Sequence, residues 1–224
     1  MLREAGRCME ATVWFLTSNQ GKLEEAQLHF APLGYNIEQL VVPEGAIVEP
    51  QSDSLEEIAI SKLEQAKAHL PNSNDMVMVE DSGLFISALD GFPGVYSSYV
   101  YETIGCQGIL RLLAHLESED PVQQKKLRAA SYRAVTALWD GTSMIIGLGE
   151  CPGSLASEMH EGHGFGYDPV FVPLDLNDEG QPLPAGELGP TSTHGVAFGG
   201  VELDVKHRFS HRRRALEHLL EQLP

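Results

Sequence analysis

The run Thr12–Leu16 is apolar and β-rich. It stops at the polar turn Thr17-Ser18-Asn19-Gln20-Gly21 and gives way to Leu23, Ala26, Gln27 and Phe30 on one helical face, with Glu24 and Glu25 on the other. A strand that passes through one tight turn into a helix restricts the chain to architectures in which helices pack on a sheet. The alternation continues. Ser54-Leu55-Glu56-Glu57 reads as a capping box opening a second helix, whose apolar positions are Leu55, Ile58, Ala59, Leu63 and Ala66. Met76–Val79 is a short buried strand running into Glu80-Asp81-Ser82-Gly83. Leu84–Ala88 is another, broken by Gly91-Phe92-Pro93-Gly94, and Ile109–Leu116 reads as a helix. Tyr132–Trp139 and Met144–Leu148, joined by Asp140-Gly141, form a hairpin by turn chemistry. Ser210 opens a final helix with Ala215, Leu216, Leu219, Leu220 and Leu223 inward. The hairpin makes the sheet mixed, so the expected fold is α/β, a mixed sheet flanked by helices. Residues 1–9 read as an extension, with Met9 as an alternative start, and 10–224 as a single domain. The Pro-, Gly- and acid-rich stretch 174–195 reads as an exposed loop or insertion.

With 224 residues, 42% of them hydrophobic, the chain can bury a full core. Fifteen Lys and Arg against 32 Asp and Glu leave a net charge of −17. That charge argues against nucleic acid and anionic lipid as partners, though not against a small anion met by a few converging cations. No apolar run approaches the roughly 20 residues of a membrane helix. The cysteines Cys8, Cys106 and Cys151 have no CxxC spacing, which suits a reducing cytoplasm and neither a disulfide framework nor a cysteine zinc site.

Four segments carry chemistry. Thr17-Ser18-Asn19-Gln20-Gly21-Lys22 sits where a strand enters a helix, and the free N–H groups and positive dipole end there suit phosphate, with Lys22 adding a full charge. It lacks the GxxxxGK[ST] spacing of an ordinary P-loop. Glu80-Asp81-Ser82 at the end of a buried strand can hold Mg²⁺ or orient a water. Period-two alternation sends Glu80 and Asp81 to opposite faces, so only one of them is expected to do chemistry. In Gly164-Phe165-Gly166-Tyr167-Asp168-Pro169 an aromatic face can stack on a base while Asp168 accepts from a ring N–H. Lys206-His207-Arg208-Phe209-Ser210-His211-Arg212-Arg213-Arg214 is the one dense basic cluster. Positive charge at a helix start opposes the dipole, which a ligand explains better than folding does. His160 with His163, and His207 with His211, have helical spacing, but Gly162, Gly164 and the cap at Ser210 argue against a zinc site.

Taken in order, these segments resemble the inosine/xanthosine triphosphate pyrophosphatase family. Thr17–Lys22 is similar to its T-[GS]-N-x-x-K. Glu80-Asp81-Ser82-Gly83-Leu84 through Gly91-Phe92-Pro93-Gly94-Val95-Tyr96-Ser97 is similar to its EDSGL…G-x-PG-x-YS block, Gly164–Pro169 to its GFGYDP and Ser210-His211-Arg212 to its SHR. The resemblance implies an elongated mixed α/β fold of two lobes around a central cleft, a homodimer, and Mg²⁺-dependent hydrolysis of non-standard purine nucleoside triphosphates to monophosphate and pyrophosphate. It further implies that Thr17, Ser18, Asn19, Gln20, Gly21, Lys22 and Lys62 hold the triphosphate. Glu49, with Glu44 as the alternative, would hold Mg²⁺ together with Asp81, and Asp81 would take the proton of the attacking water. Phe165 would stack on the base, with Asp168, Lys206, His211 and Arg212 framing its polar edge. Ser82, Gly166 and Tyr167 lie within the same motifs and are counted with the substrate-binding residues. The site would then divide into a phosphate end near Lys22 and a base end near Phe165. The competing readings are a Maf-type nucleotide pyrophosphatase and a nucleotide sensor without turnover.

Overall fold

A computed structural model describes residues 11–72, 74–162 and 165–223; the extension 1–9, with Met9, lies outside the described residues. Chain order is β1 (Ala11–Leu16), α1 (Gln20–Phe30), β2 (Tyr35–Gln39), α2 (Leu55–Lys67), β3 (Met76–Ile86), β4 (Pro93–Gly94), α3 (Ser97–Thr103) and α4 (Gly105–Leu112). Then follow α5 (Pro121–Leu127), β5 (Ala129–Trp139), β6 (Met144–Leu155), β7 (Phe171–Pro173), α6 (Leu203–Arg208) and α7 (His211–Leu220). The strands form one sheet in the order β2-β1-β3-β5-β6-β7, with β4 added beside β3. β1 runs parallel to β2 and β3, and all other pairings are antiparallel, so the sheet is mixed as expected.

The largest departure from the sequence reading lies in β3. Met76–Val79 and Leu84–Ala88 are not two strands around a polar turn. Met76–Ile86 is one strand of 11 residues with Glu80-Asp81-Ser82-Gly83 in its middle, and Ser87 and Ala88 fall in the 3-10 turn that follows it. The polar residues are tolerated there because β5 covers the strand throughout, pairing Glu80 with Thr136 and Gly83 with Arg133. The hairpin of β5 and β6 is likewise longer than expected, and its connection spans 140–143. There the Asp140 carboxylate accepts from the Thr142 and Ser143 N–H groups, replacing a two-residue turn. The helix expected at Ile109–Leu116 sits earlier, at Gly105–Leu112. The Ser54 cap accepts from the Glu57 N–H, but the return bond runs through Ser52, whose hydroxyl donates to Glu57 and accepts from the Ser54 N–H.

At about 3.3 Å per residue, β3, β5 and β6 each extend some 35–40 Å, longer than one compact core. They therefore run through three. At one end Val13, Phe15, Met78 and Leu138 pack with Leu23, Ala26 and Phe30 of α1 and Leu216 and Leu219 of α7. On the opposite face of the same end Val77, Val79, Val135 and Ala137 pack with Leu55, Ala59, Leu63 and Ala66 of α2. At the far end Leu84, Ile86, Val100, Ile109, Tyr167, Phe171, Phe198 and Phe209 form a separate core. The stretch 174–195 is mostly exposed, yet it is anchored. Leu176 is buried and bridges Pro182 and Thr191, and the Asp175 carboxylate accepts from the Gly189 N–H and the Ser192 hydroxyl.

Between β1 and β4 the β3 edge is open, because β1 ends at Leu16, opposite Val79, and β4 begins only at Leu84 and Phe85. The two lobes meet over this notch. Gly83 helps to define it: a Cβ there would collide with the Gly94 carbonyl of β4. Gly149 plays the same part across the sheet. A Cβ on it would collide with the His211 carbonyl, so α7 rests backbone against backbone on β6. Gly149→Ala is expected to destabilise the protein by about 1–3 kcal/mol, the range for overpacking a close contact. A urea unfolding curve indistinguishable from wild type would show that α7 has slack above β6.

Candidate active site

The notch brings most of the expected residues together, and β3 explains how. Its alternation places Met78 with the α1 and α7 core and Val77 and Val79 with the α2 core. The same alternation continues into the polar stretch, so Glu80 faces α1 and α7 while Asp81 faces α2.

On the α2 side, Lys62 Nζ donates to Glu49 Oε1 at 2.8 Å and to Asp81 Oδ2 at 3.4 Å. Asp81 Oδ1 accepts from the Ser82 N–H at 3.0 Å. Burial pushes the Asp81 carboxyl above its ordinary range, with Lys62 and Lys22 pulling against it. For Lys62, burial favours loss of its proton, but Asp81 and Glu49 outweigh it and the ammonium is held more firmly than usual. Of the two glutamates weighed for the metal, Glu49 is the one that reaches this cluster.

On the opposite side, Lys22 Nζ and Arg212 Nε each lie 3.2 Å from Glu80 Oε1. Burial alone would raise the Glu80 pKa, but Lys22 and Arg212 overcome it and hold the carboxyl at about 2. The loop feeding Lys22 is ordered by its own side chains. Thr17 Oγ1 accepts from the Asn19 N–H, and Asn19 Oδ1 accepts from the Lys22 N–H as the cap of α1. Ser18 and Gln20 are exposed on the same turn.

Arg212, expected at the polar edge of the base, thus shares an oxygen with Lys22. The residues expected at the base lie toward the far core. Asp168 is buried and accepts from Lys206 Nζ and from the Phe165 N–H, the latter at 2.7 Å. Phe165 is 70% exposed, an aromatic face presented to solvent. Tyr167 does not face the cleft. It is buried, and its hydroxyl donates to the Ser97 carbonyl. Gly166 takes a positive φ of 62°, and its carbonyl accepts from the Cys106 thiol, so both residues shape the turn. His211 is buried and stacks on Tyr132 at 5.0 Å between ring centroids. Gly164 and His163 lie outside the described residues. Among the described residues no group of three or more His, Cys, Asp and Glu could hold a metal. His160 is engaged by the Ala197 N–H.

Two site features escaped the sequence reading. Glu80 is the carboxylate that the resemblance leaves without a role, and it pairs with Lys22 and Arg212. Tyr132 forms the floor under His211 and lies close enough to Asp168 and Arg212 for their charges to act on its hydroxyl. No local signal could have found it, because its partners come from β7, α7 and the loop before α6.

Comparison with known proteins is consistent across the chain. The Ham1 family model matches residues 13–222. The chain is 40% identical over 202 residues to the dITP/XTP pyrophosphatase of Thermococcus kodakarensis, spanning 90% of this chain and 91% of that protein. It is 37% identical over 212 residues to the dITP/XTP pyrophosphatase of Ignicoccus hospitalis, spanning 94% and 96%. Among solved structures it is similar to a HAM1 protein from Coxiella burnetii, with a TM-score of 0.70 and 26% identity over 93% of this chain and 96% of that one. The Ham1 protein of Staphylococcus aureus gives a TM-score of 0.68 and 26% identity over 92% and 94%.

The site has a measurable signature in pH. Burial, then Arg212, hold the His211 pKa well below the ordinary imidazole value, with Glu80 pulling the other way. The unfolded chain takes up a proton here as pH falls through about 6.5, and the folded chain does not. The unfolded state then binds more protons, so stability is full above that value and is lost as pH falls below it. Between about pH 7.5 and 5.5, wild type should lose more stability to urea than His211→Asn, by up to ~1.4 kcal/mol for each pH unit below the unfolded pKa. Equal slopes for the two proteins would mean that His211 takes up its proton in the fold as it does in the unfolded chain.

Proposed function

The chain belongs to the Ham1 family, and from that premise we propose that it hydrolyses non-standard purine nucleoside triphosphates, ITP, dITP and XTP, to the monophosphate and pyrophosphate. It is a nucleoside-triphosphate pyrophosphohydrolase. The observation that supports this reading most strongly is the pair of opposed clusters on β3, a proton acceptor among carboxylates on one face and a cationic cradle on the other.

Lys22, backed by the amide-rich start of α1, meets the phosphate oxygens, where charge-assisted bonds are strongest. Arg212 extends that grip toward the nucleoside. Phe165 offers its ring to the base. Lys206, Arg212 and backbone N–H groups are donors, which suits a 6-keto purine; the 6-amino group of adenine would set donor against donor and leave buried groups unpaired. Asp81 Oδ takes the proton of the attacking water, and its raised pKa makes it a stronger base than a free carboxylate.

The donor set also fits Mg²⁺. Glu49 and Asp81 already converge on one cationic centre, Lys62 Nζ, and Mg²⁺ is commonly bound by one or two carboxylates plus substrate phosphates. Glu49 and Asp81 would hold the ion, whose charge would offset that of the phosphates during cleavage. A homodimer is supported by Phe92, Tyr96, Tyr99 and Ile104, large apolar residues left exposed before, on and after α3. No described helix is long and apolar enough to cross a membrane. The buried free thiols of Cys106 and Cys151 agree with a cytoplasmic setting.

The reading is tested by incubating the protein with ITP, XTP and ATP in Mg²⁺ and measuring nucleoside monophosphate and pyrophosphate. Release from ITP and XTP with little from ATP is expected. Tight binding of ITP without release would indicate a sensor, and orthophosphate in place of pyrophosphate would indicate cleavage at a different bond. Asp81→Asn should lower kcat by at least about 10²–10⁴, the scale of general base catalysis, with the fold intact by circular dichroism. Near-normal kcat would move the base elsewhere.

A further inference from the structure

The two cations on the α1 and α7 side come from opposite ends of the chain, yet they converge on one atom. Lys22 Nζ and Arg212 Nε are each 3.2 Å from Glu80 Oε1, and Lys22 also donates to the Glu80 carbonyl at 3.5 Å. The Glu80 side chain is only 4% exposed, so water does not screen these contacts. Lys22 and Arg212 sit on long rotatable stems in the first turns of separate helices, whereas Glu80 is fixed in the middle of a strand paired to Thr136. Without the carboxylate the two cations would repel each other across the notch. The same two helices are joined a second time where the Ser210 hydroxyl, the cap of α7, donates to Glu25 Oε1 of α1 at 2.9 Å. Asp81 makes its own ion pair with Lys62 on the α2 side of the strand.

We propose that Glu80 is a positioning residue that couples Lys22 to Arg212 through one carboxylate oxygen, so that the grip on the phosphates and the grip on the nucleoside are set together. The proposal rests on the pyrophosphohydrolase reading above. It explains why a buried strand in an enzyme of this kind carries two adjacent carboxylates when one suffices as a base. It also gives Arg212 a part in phosphate binding that its place in the sequence did not suggest.

The test is a mutant cycle on ITP hydrolysis: wild type, Lys22→Ala, Arg212→Ala and the double variant, each made with Glu80 and again with Glu80→Gln. With Glu80 present, the double variant should lose at least about fivefold less in kcat/KM than the product of the single losses. In the Glu80→Gln background the two losses should multiply to within about twofold. Glu80→Gln alone should raise KM for ITP by about fivefold or more while changing kcat much less, the mark of weakened binding and not of lost chemistry. Losses that multiply, or exceed the product, with Glu80 in place would overturn the proposal. So would a Glu80→Gln enzyme that loses kcat as fully as Asp81→Asn at unchanged KM, since Glu80 would then act on the reacting atoms. Should Glu80→Gln fail to fold by circular dichroism, the wild-type cycle alone still decides. A wild-type protein that does not hydrolyse ITP fails the activity reading instead, before any variant is compared.

Discussion

Everything in the cleft depends on Glu80 and Asp81 standing next to each other inside a strand held in register by β5. Adjacent carboxylates in a loop would be free to share a face and repel. In β3 the ladder to β5 forces them apart by the pleat, and each finds its own cations: Lys62 for Asp81, Lys22 and Arg212 for Glu80. A shift of one residue in the pairing would exchange them, setting the would-be base among the phosphate cations and leaving Lys62 with the wrong partner. The register of a long antiparallel pair is thus a chemical constraint as well as a packing one, and the ten-residue overlap of β3 with β5 helps to fix it.

The second organising fact is electrostatic. A chain with a net charge of −17 gathers Lys22, Lys62, Lys206 and Arg212 around one notch and gives each a carboxylate partner. Leaving a buried charge unpaired costs far more than pairing it returns, so these pairs are better understood as holding the cations in place than as adding stability. The cations are therefore already positioned before a polyanion arrives.

Much of this was legible in the residues. The strand–turn–helix at Thr12–Phe30, the caps Ser54 and Ser210, the hairpin and the mixed sheet all follow from local signals, and the structure keeps them. What failed did so for tertiary reasons. Glu80–Gly83 looked like a turn because polar residues and a glycine usually end a strand; here β5 satisfies the backbone and α1, α2 and α7 supply the charges. β2, with only Ile37 buried, carried too little apolar signal to be noticed. Tyr167 is counted with the substrate-binding residues by its motif, but its hydroxyl is taken by Ser97, a residue seventy positions away whose approach no spacing foretells. Of the site, the sequence showed which residues gather; it did not show that Arg212 and Lys22 meet on one oxygen.

The glycine contact between β6 and α7 has a mechanical meaning. Helices ordinarily rest on sheets through a layer of interlocking side chains, which can yield by changing rotamers. At Gly149 that layer is missing, and the His211 carbonyl bears on the strand itself. A seat of this kind has no cushion. The first turn of α7, with His211 and Arg212 on it, must follow any change in the twist or bend of β6 as a rigid pointer follows its pivot, and a deformation that begins far along the hairpin arrives in the cleft undamped.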